Sequence, residues 1–100
     1  MLTNKATQVK ETNLLRQQAG AWFKEMREAK GISQREMASQ LNLEYYTFIS
    51  QLENGRGRIP QNRYRDWAEV LGVDPKDFVK KLMSFYDPET YEILFGDIAS

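Results

Sequence analysis

The 100-residue chain contains no cysteine and no histidine. Those absences exclude disulfides, thiolate chemistry and the commonest zinc sites. Ser-His-Asp and Cys-His catalytic arrangements are excluded equally. Only carboxylates remain for acid–base work, and nothing in the sequence isolates a pair of them. No phosphate-cradling glycine loop is visible. No enzyme activity, cofactor or metal is therefore expected. Long apolar runs are missing too, and Met1-Leu2-Thr3-Asn4-Lys5 lacks the apolar stretch of a signal peptide. A soluble, cytoplasmic protein with no membrane partner is expected, which the lack of cysteine fits.

The chain also lacks an excess of either charge: 14 Lys and Arg face 14 Asp and Glu. Zero net charge counts mildly against a nucleic-acid partner. The distribution is uneven, however. Residues 86–100 hold four of the acids (Asp87, Glu89, Glu92, Asp97) and no base. All the bases lie in residues 1–85, and Gly55–Arg65 carries Arg56, Arg58, Arg63 and Arg65 with no acid. A local basic patch can bind phosphates on a neutral chain. Four solvated surface arginines is the plain alternative.

What is present is a single globular domain: 41% of residues are hydrophobic and 12% aromatic, enough for one core at this length. Periodicity is helical throughout, with no strand-like alternation and no hairpin turn. Residues 1–12 are polar and read as a mobile arm; such arms sometimes reach into a DNA groove. A first helix is expected from about Asn13 to Lys30, with Leu15, Ala19, Trp22, Phe23, Met26 and Ala29 on its apolar face and Gly31 as its stop. Ser33-Gln34-Arg35-Glu36 is a capping box that opens a second helix, whose Met37, Ala38 and Leu41 face inward. Asn42 follows, suited to a left-handed turn position.

A third helix is expected from about Glu44 to Asn54. Tyr45, Phe48, Ile49 and Leu52 recur at core spacing, which puts Tyr45 in the core. Its other face, Tyr46, Thr47, Ser50 and Gln51, is polar without charge. A solvated face usually shows Glu and Lys, whereas hydroxyls and amides both donate and accept, as base edges require. A fourth helix should span about Gln61 to Leu71, with Tyr64, Trp67, Ala68 and Leu71 inward. Asp74-Pro75 starts a fifth, which runs to about Tyr86. The fifth helix carries two apolar stripes, Phe78-Leu82-Phe85 and Val79-Met83-Tyr86, more than one core contact needs. Asp87-Pro88-Glu89 starts a short terminal helix, Glu89 to Phe95, with Tyr91, Ile93, Leu94 and Phe95 too apolar to hang free. The expected organisation is an arm (1–12), an all-α five-helix domain (13–86) and a C-terminal extension (87–100).

A capped helix, a very short turn and a second helix form the local grammar of a helix-turn-helix. The residues also resemble a family. Arg27-Glu-Ala-Lys-Gly31-Ile-Ser-Gln34-Arg-Glu-Met-Ala38, then Ile49-Ser-Gln-Leu-Glu-Asn-Gly55-Arg56, Pro60 and Trp67-Ala-Glu-Val-Leu-Gly72-Val73 are similar to the Cro/CI-type (XRE) regulators of bacteria and phage. The match covers about Trp22 to Phe78. The resemblance implies a λ-repressor-like DNA-binding domain that inserts helix three into the major groove. It implies base contacts from Tyr46, Thr47, Ser50 and Gln51, with Tyr46 open between packing and a sugar or thymine-methyl contact. It implies backbone contacts from Ser33, Gln34, Arg35, Asn54, Arg56, Arg58 and Arg63. Between Ala38 and Gly55 the chain is one residue longer than the family pattern, which should lengthen the turn or the start of helix three. A homodimeric transcription regulator on an inverted repeat follows, most simply a repressor. Val79, Met83, Tyr86, Tyr91 and Phe95 are the expected dimer surface. The alternative is an antitoxin-like interaction module that uses the same residues on a second protein, a toxin or polymerase.

Overall fold

The computed structural model describes residues 5–96. Its elements in chain order are α1 (Lys5–Lys30), α2 (Gln34–Gln40), α3 (Thr47–Glu53), a single 3-10 turn (Gln61–Arg63), α4 (Tyr64–Leu71), α5 (Pro75–Tyr86) and α6 (Pro88–Phe95). There is no strand among the described residues.

α2 and α5 start on the caps expected of them, whereas Asp87 makes no side-chain cap bond to α6. Ser33 Oγ accepts from the Glu36 amide at 3.0 Å, and the Ser33 amide donates to Glu36 Oε1 at 2.9 Å. Asp74 Oδ2 accepts from the Asp77 amide, and Pro75 occupies the first position of α5. α2 ends in paired bonds from Leu43 N to Ala38 O and from Asn42 N to Ser39 O. This termination needs a left-handed residue, and Asn42 supplies it with φ +57°.

The core gathers residues from every helix except α6. Phe23, Met37, Leu41, Ile49, Leu52, Trp67, Phe78 and Leu82 are all buried. Trp22 stacks on Phe78 with 5.4 Å between ring centroids, and Phe48 meets Trp67 edge-on at 6.1 Å. α1 crosses α3 at Gly20, where a Cβ would lie 2.5 Å from the Leu52 carbonyl oxygen and 2.6 Å from that of Glu53. No side chain larger than hydrogen fits there, so Gly20 sets how closely α3 rests on α1.

Several expectations are corrected. α1 begins at Lys5, not near Asn13, so the stretch expected as an arm is helical from Lys5; residues 1–4 lie outside the described residues. Lys, Ala, Gln and Glu in that stretch favour helix, although its polarity hides any periodic face. α3 begins at Thr47, and the connection from α2 is the six-residue Leu41–Tyr46 segment, longer than expected. Tyr45 therefore precedes the helix and is 66% exposed instead of buried. Ala29 is exposed as well. Ile59 is fully buried although it sits in an irregular segment with no periodicity to announce it.

Candidate nucleic-acid interface

The geometry of α3 follows from its period. Thr47, Ser50, Gln51 and Asn54 stand at i, i+3, i+4 and i+7 and share one face, opposite buried Ile49 and Leu52. Thr47, Gln51 and Asn54 are exposed and Ser50 is half-buried. None carries a charge. Tyr46, the residue before α3, is exposed, and the Arg35 guanidinium from α2 lies 4.4 Å from its ring centroid. That cation–π contact ties the first turn of α2 to the front of α3.

A buried ion pair ties α3 to α1 from behind. Arg27 Nε donates to Glu53 Oε2 at 2.6 Å, and its Nη2 donates to Glu53 Oε1 at 3.1 Å. The Arg27 Nη1 donates to the Ile32 carbonyl at 2.8 Å. The Glu53 hydrogen bond holds the guanidinium above its ordinary pKa, against the opposing effect of burial. Gln34 Nε2 donates to the same Glu53 carboxylate at 3.0 Å. The half-buried Gln34 is thereby oriented, with its amide oxygen and second N–H still available. Ser33 spends its amide on the capping box, while its hydroxyl proton can still donate.

The arginines after α3 differ from one another. Arg56 is exposed and forms no ion pair among the described residues. Arg58 is exposed; its Nη2 donates to the Tyr64 hydroxyl at 3.1 Å, and it lies 4.6 Å from the Tyr86 ring centroid. Arg63 is turned onto the protein. It donates to Asp66 at 2.7 Å and to the Leu41 carbonyl, and it covers the Trp67 ring. These bonds lock the end of α2 against α4.

The five residues expected on a partner surface separate into two groups. Val79, Met83 and Phe95 line a groove of about 960 Å³ between the start of α4, the length of α5 and the end of α6, and Tyr91 packs on Phe95 at 5.4 Å between centroids. Tyr86 shares a second, small pocket with Val79 and Met83, but its hydroxyl and ring are anchored in the fold. Its hydroxyl accepts from the Ile59 amide at 3.0 Å and its ring meets Phe23 edge-on. Burial holds its phenol above the ordinary pKa, opposed by the Ile59 hydrogen bond and by Arg16 and Arg58.

Arg16 is the residue that sequence reasoning missed. It donates from Nη1 to the Gly57 carbonyl at 2.8 Å and lies 5.1 Å from the Tyr86 ring centroid. A signal is present in the sequence: Arg16 shares a helix face with Ala19 and Phe23, so a cation stands on the core-facing stripe. Arg27 lies on that stripe too, and its place in the family pattern gives no hint of the ion pair it forms.

Two helices at the protein surface, joined by a turn and linked by the Gln34–Glu53 hydrogen bond, present an uncharged polar face edged by arginines. A family model described as a helix-turn-helix domain matches residues 20–83. The chain belongs to this family, of the XRE/Cro-CI type. None of the curated proteins matches the chain. The helix-turn-helix proper is α2, the Leu41–Tyr46 turn and α3. The matched region also takes in α4 and most of α5, and leaves α6 and the first half of α1 outside it. No described helix is long and apolar enough to cross a membrane.

Proposed function

We propose that this helix-turn-helix protein binds double-stranded DNA with sequence preference and regulates transcription, most simply by occupying a promoter and blocking polymerase. α3 enters the major groove. Thr47, Ser50 and Gln51 read base edges, and Tyr46 touches a sugar or thymine methyl beside them. Gln34, Arg35 and Ser33 hold the backbone on one side; Asn54, Arg56 and Arg58 hold it on the other. Arg63 supports this surface from within the fold. The observation that carries the reading is the face of α3: exposed hydroxyls and amides without charge, flanked by exposed Arg35, Arg56 and Arg58, none of which has a carboxylate partner among the described residues. Hydroxyl and amide groups match base edges, and unpaired guanidinium groups match phosphates.

The test is titration of a duplex at several salt concentrations. Replacing Arg56 and Arg58 with Ala should weaken binding to all sequences alike. It should flatten the log–log salt slope by roughly 0.9 for each phosphate no longer neutralised. An unchanged slope removes both arginines from the interface.

A single module of this size touches too little DNA for high specificity, so the protein acts as a two-fold dimer on an inverted repeat. Half-sites then lie about 34 Å apart, one helical turn. The C-terminal helix is the dimer element: Ile93 and Leu94 are 70% and 60% exposed, and the neighbouring Asp87, Glu89 and Glu92 would be repelled by DNA. The same apolar edge favours a second reading, in which α6 holds another protein. A stoichiometric second protein that co-purifies from the native host would support that reading over the homodimer.

A further inference from the structure

The segment that follows α3 is irregular from Arg56 to Pro60, yet it carries two of the arginines assigned above to phosphates. Residues outside the helix-turn-helix proper determine where it lies. From α1, Arg16 holds the Gly57 carbonyl at 2.8 Å. From the last turn of α5, the Tyr86 hydroxyl holds the Ile59 amide at 3.0 Å. The Ile59 side chain is fully buried and the bond to its amide is partly buried, so the segment is held at a seated point of the chain. The Tyr86 ring is also shared by two guanidinium groups, with Arg16 at 5.1 Å and Arg58 at 4.6 Å from its centroid. Arg58 is braced a second time by the Tyr64 hydroxyl at 3.1 Å.

Two like charges on one ring repel each other unless something draws them together. No carboxylate pairs with either arginine among the described residues. The negative ring face of Tyr86 offsets part of that repulsion. The Gly57 carbonyl, which accepts from Arg16, offsets a further part.

We infer that Arg16 and Tyr86 are positioning residues for DNA binding: they clamp the 56–60 segment so that Arg56 and Arg58 meet the phosphate backbone together. The inference rests on the DNA-binding reading above. In this arrangement Tyr86 touches no DNA. It fixes the segment through its hydroxyl and aims Arg58 through its ring, and Arg16 closes the clamp from the opposite element. Tyr86 is the last residue of α5 and Asp87 starts the passage into α6, so the anchor of the 56–60 segment lies at the junction of those two helices.

Tyr86→Phe is the decisive variant, because it removes the anchor to Ile59 but no charge. Duplex affinity, measured across a salt series, should fall about threefold to tenfold on every sequence, the scale of one backbone hydrogen bond. The salt slope should drop by about 0.9 if one phosphate is released, although the number of cations is unchanged. In an Arg56→Ala, Arg58→Ala background the same change should cost nothing further, because the arginines it organises are already gone. A merely structural role would lower the melting temperature and leave the slope alone. Wild-type affinity and slope in folded Tyr86→Phe, or a full additional loss in the double-alanine background, would overturn the inference. Should Tyr86→Phe fail to fold, Arg16→Gln decides. It must weaken binding in the wild-type background and not in the double-alanine one. If the wild-type protein binds no duplex at low salt, the DNA-binding reading fails first, and the two failures are told apart.

Discussion

Gln51 carries the sharpest prediction at the scale of single residues. Its exposed amide projects from the middle of the polar face of α3. A bidentate amide–base pair discriminates by about 1–3 kcal/mol. Gln51→Ala should therefore lower affinity for the preferred duplex by about that amount, relax preference at one base pair, and leave non-specific binding nearly intact. Equal loss on all sequences would remove Gln51 from base reading. Glu36 gives a second prediction of a different kind. Its hydrogen bonds with Ser33 hold the carboxyl below its ordinary value of 4.5. A depressed carboxyl stabilises the fold above the unfolded pKa, and that contribution disappears as pH falls through the folded one. The melting temperature should thus fall less steeply in Glu36→Gln than in the wild type as pH drops below about 4.5. Parallel curves would mean that the capping carboxylate does not report on stability.

At the scale of elements, Gly20 is the test of how α3 is seated. Alanine there would drive a methyl into the Leu52 and Glu53 carbonyls at 2.5 and 2.6 Å, and backbone cannot move aside as a side chain can. Gly20→Ala should destabilise by about 1–3 kcal/mol, the usual cost of overpacking, and thermal melting would show it. A neutral substitution would mean that α1 and α3 lie further apart. The helices themselves are largely legible in the sequence. Capping boxes, proline starts and left-handed stops are local chemistry, and each of Ser33, Asn42, Asp74 and Gly72 does what its residue type predicts. What is not legible depends on neighbours distant in sequence. The period that puts Tyr45 inside requires α3 to begin at Glu44, and the six-residue turn displaces it. Spacing from Val79 and Met83 points Tyr86 toward a partner face. Its real neighbours, Ile59 and Arg16, come from segments far away in sequence. The candidate base-reading residues are legible because their face is defined by one helix alone. The clamp beneath Arg58 is not, because three elements build it.

At the scale of the whole molecule, the charge asymmetry of the sequence becomes a division of labour. Arg35 lies on α2, Arg56 and Arg58 follow α3, Arg63 and Arg65 stand at the start of α4, and Asp87, Glu89 and Glu92 follow α5 in the chain. DNA on one side and a second copy on the other would satisfy both. Ile93→Lys with Leu94→Lys places cations on the proposed dimer edge. Sedimentation should then show a monomer, and binding to an inverted repeat should lose its steep dependence on protein concentration, while single half-sites bind as before. A double variant that remains dimeric would move the dimer interface elsewhere. Sequence-specific recognition of duplex DNA can be measured by selection from a random duplex pool. An inverted repeat with half-sites about 34 Å apart should be enriched and bound far more tightly than random DNA at moderate salt. A folded protein that enriches no sequence, even at low salt, would contradict that recognition.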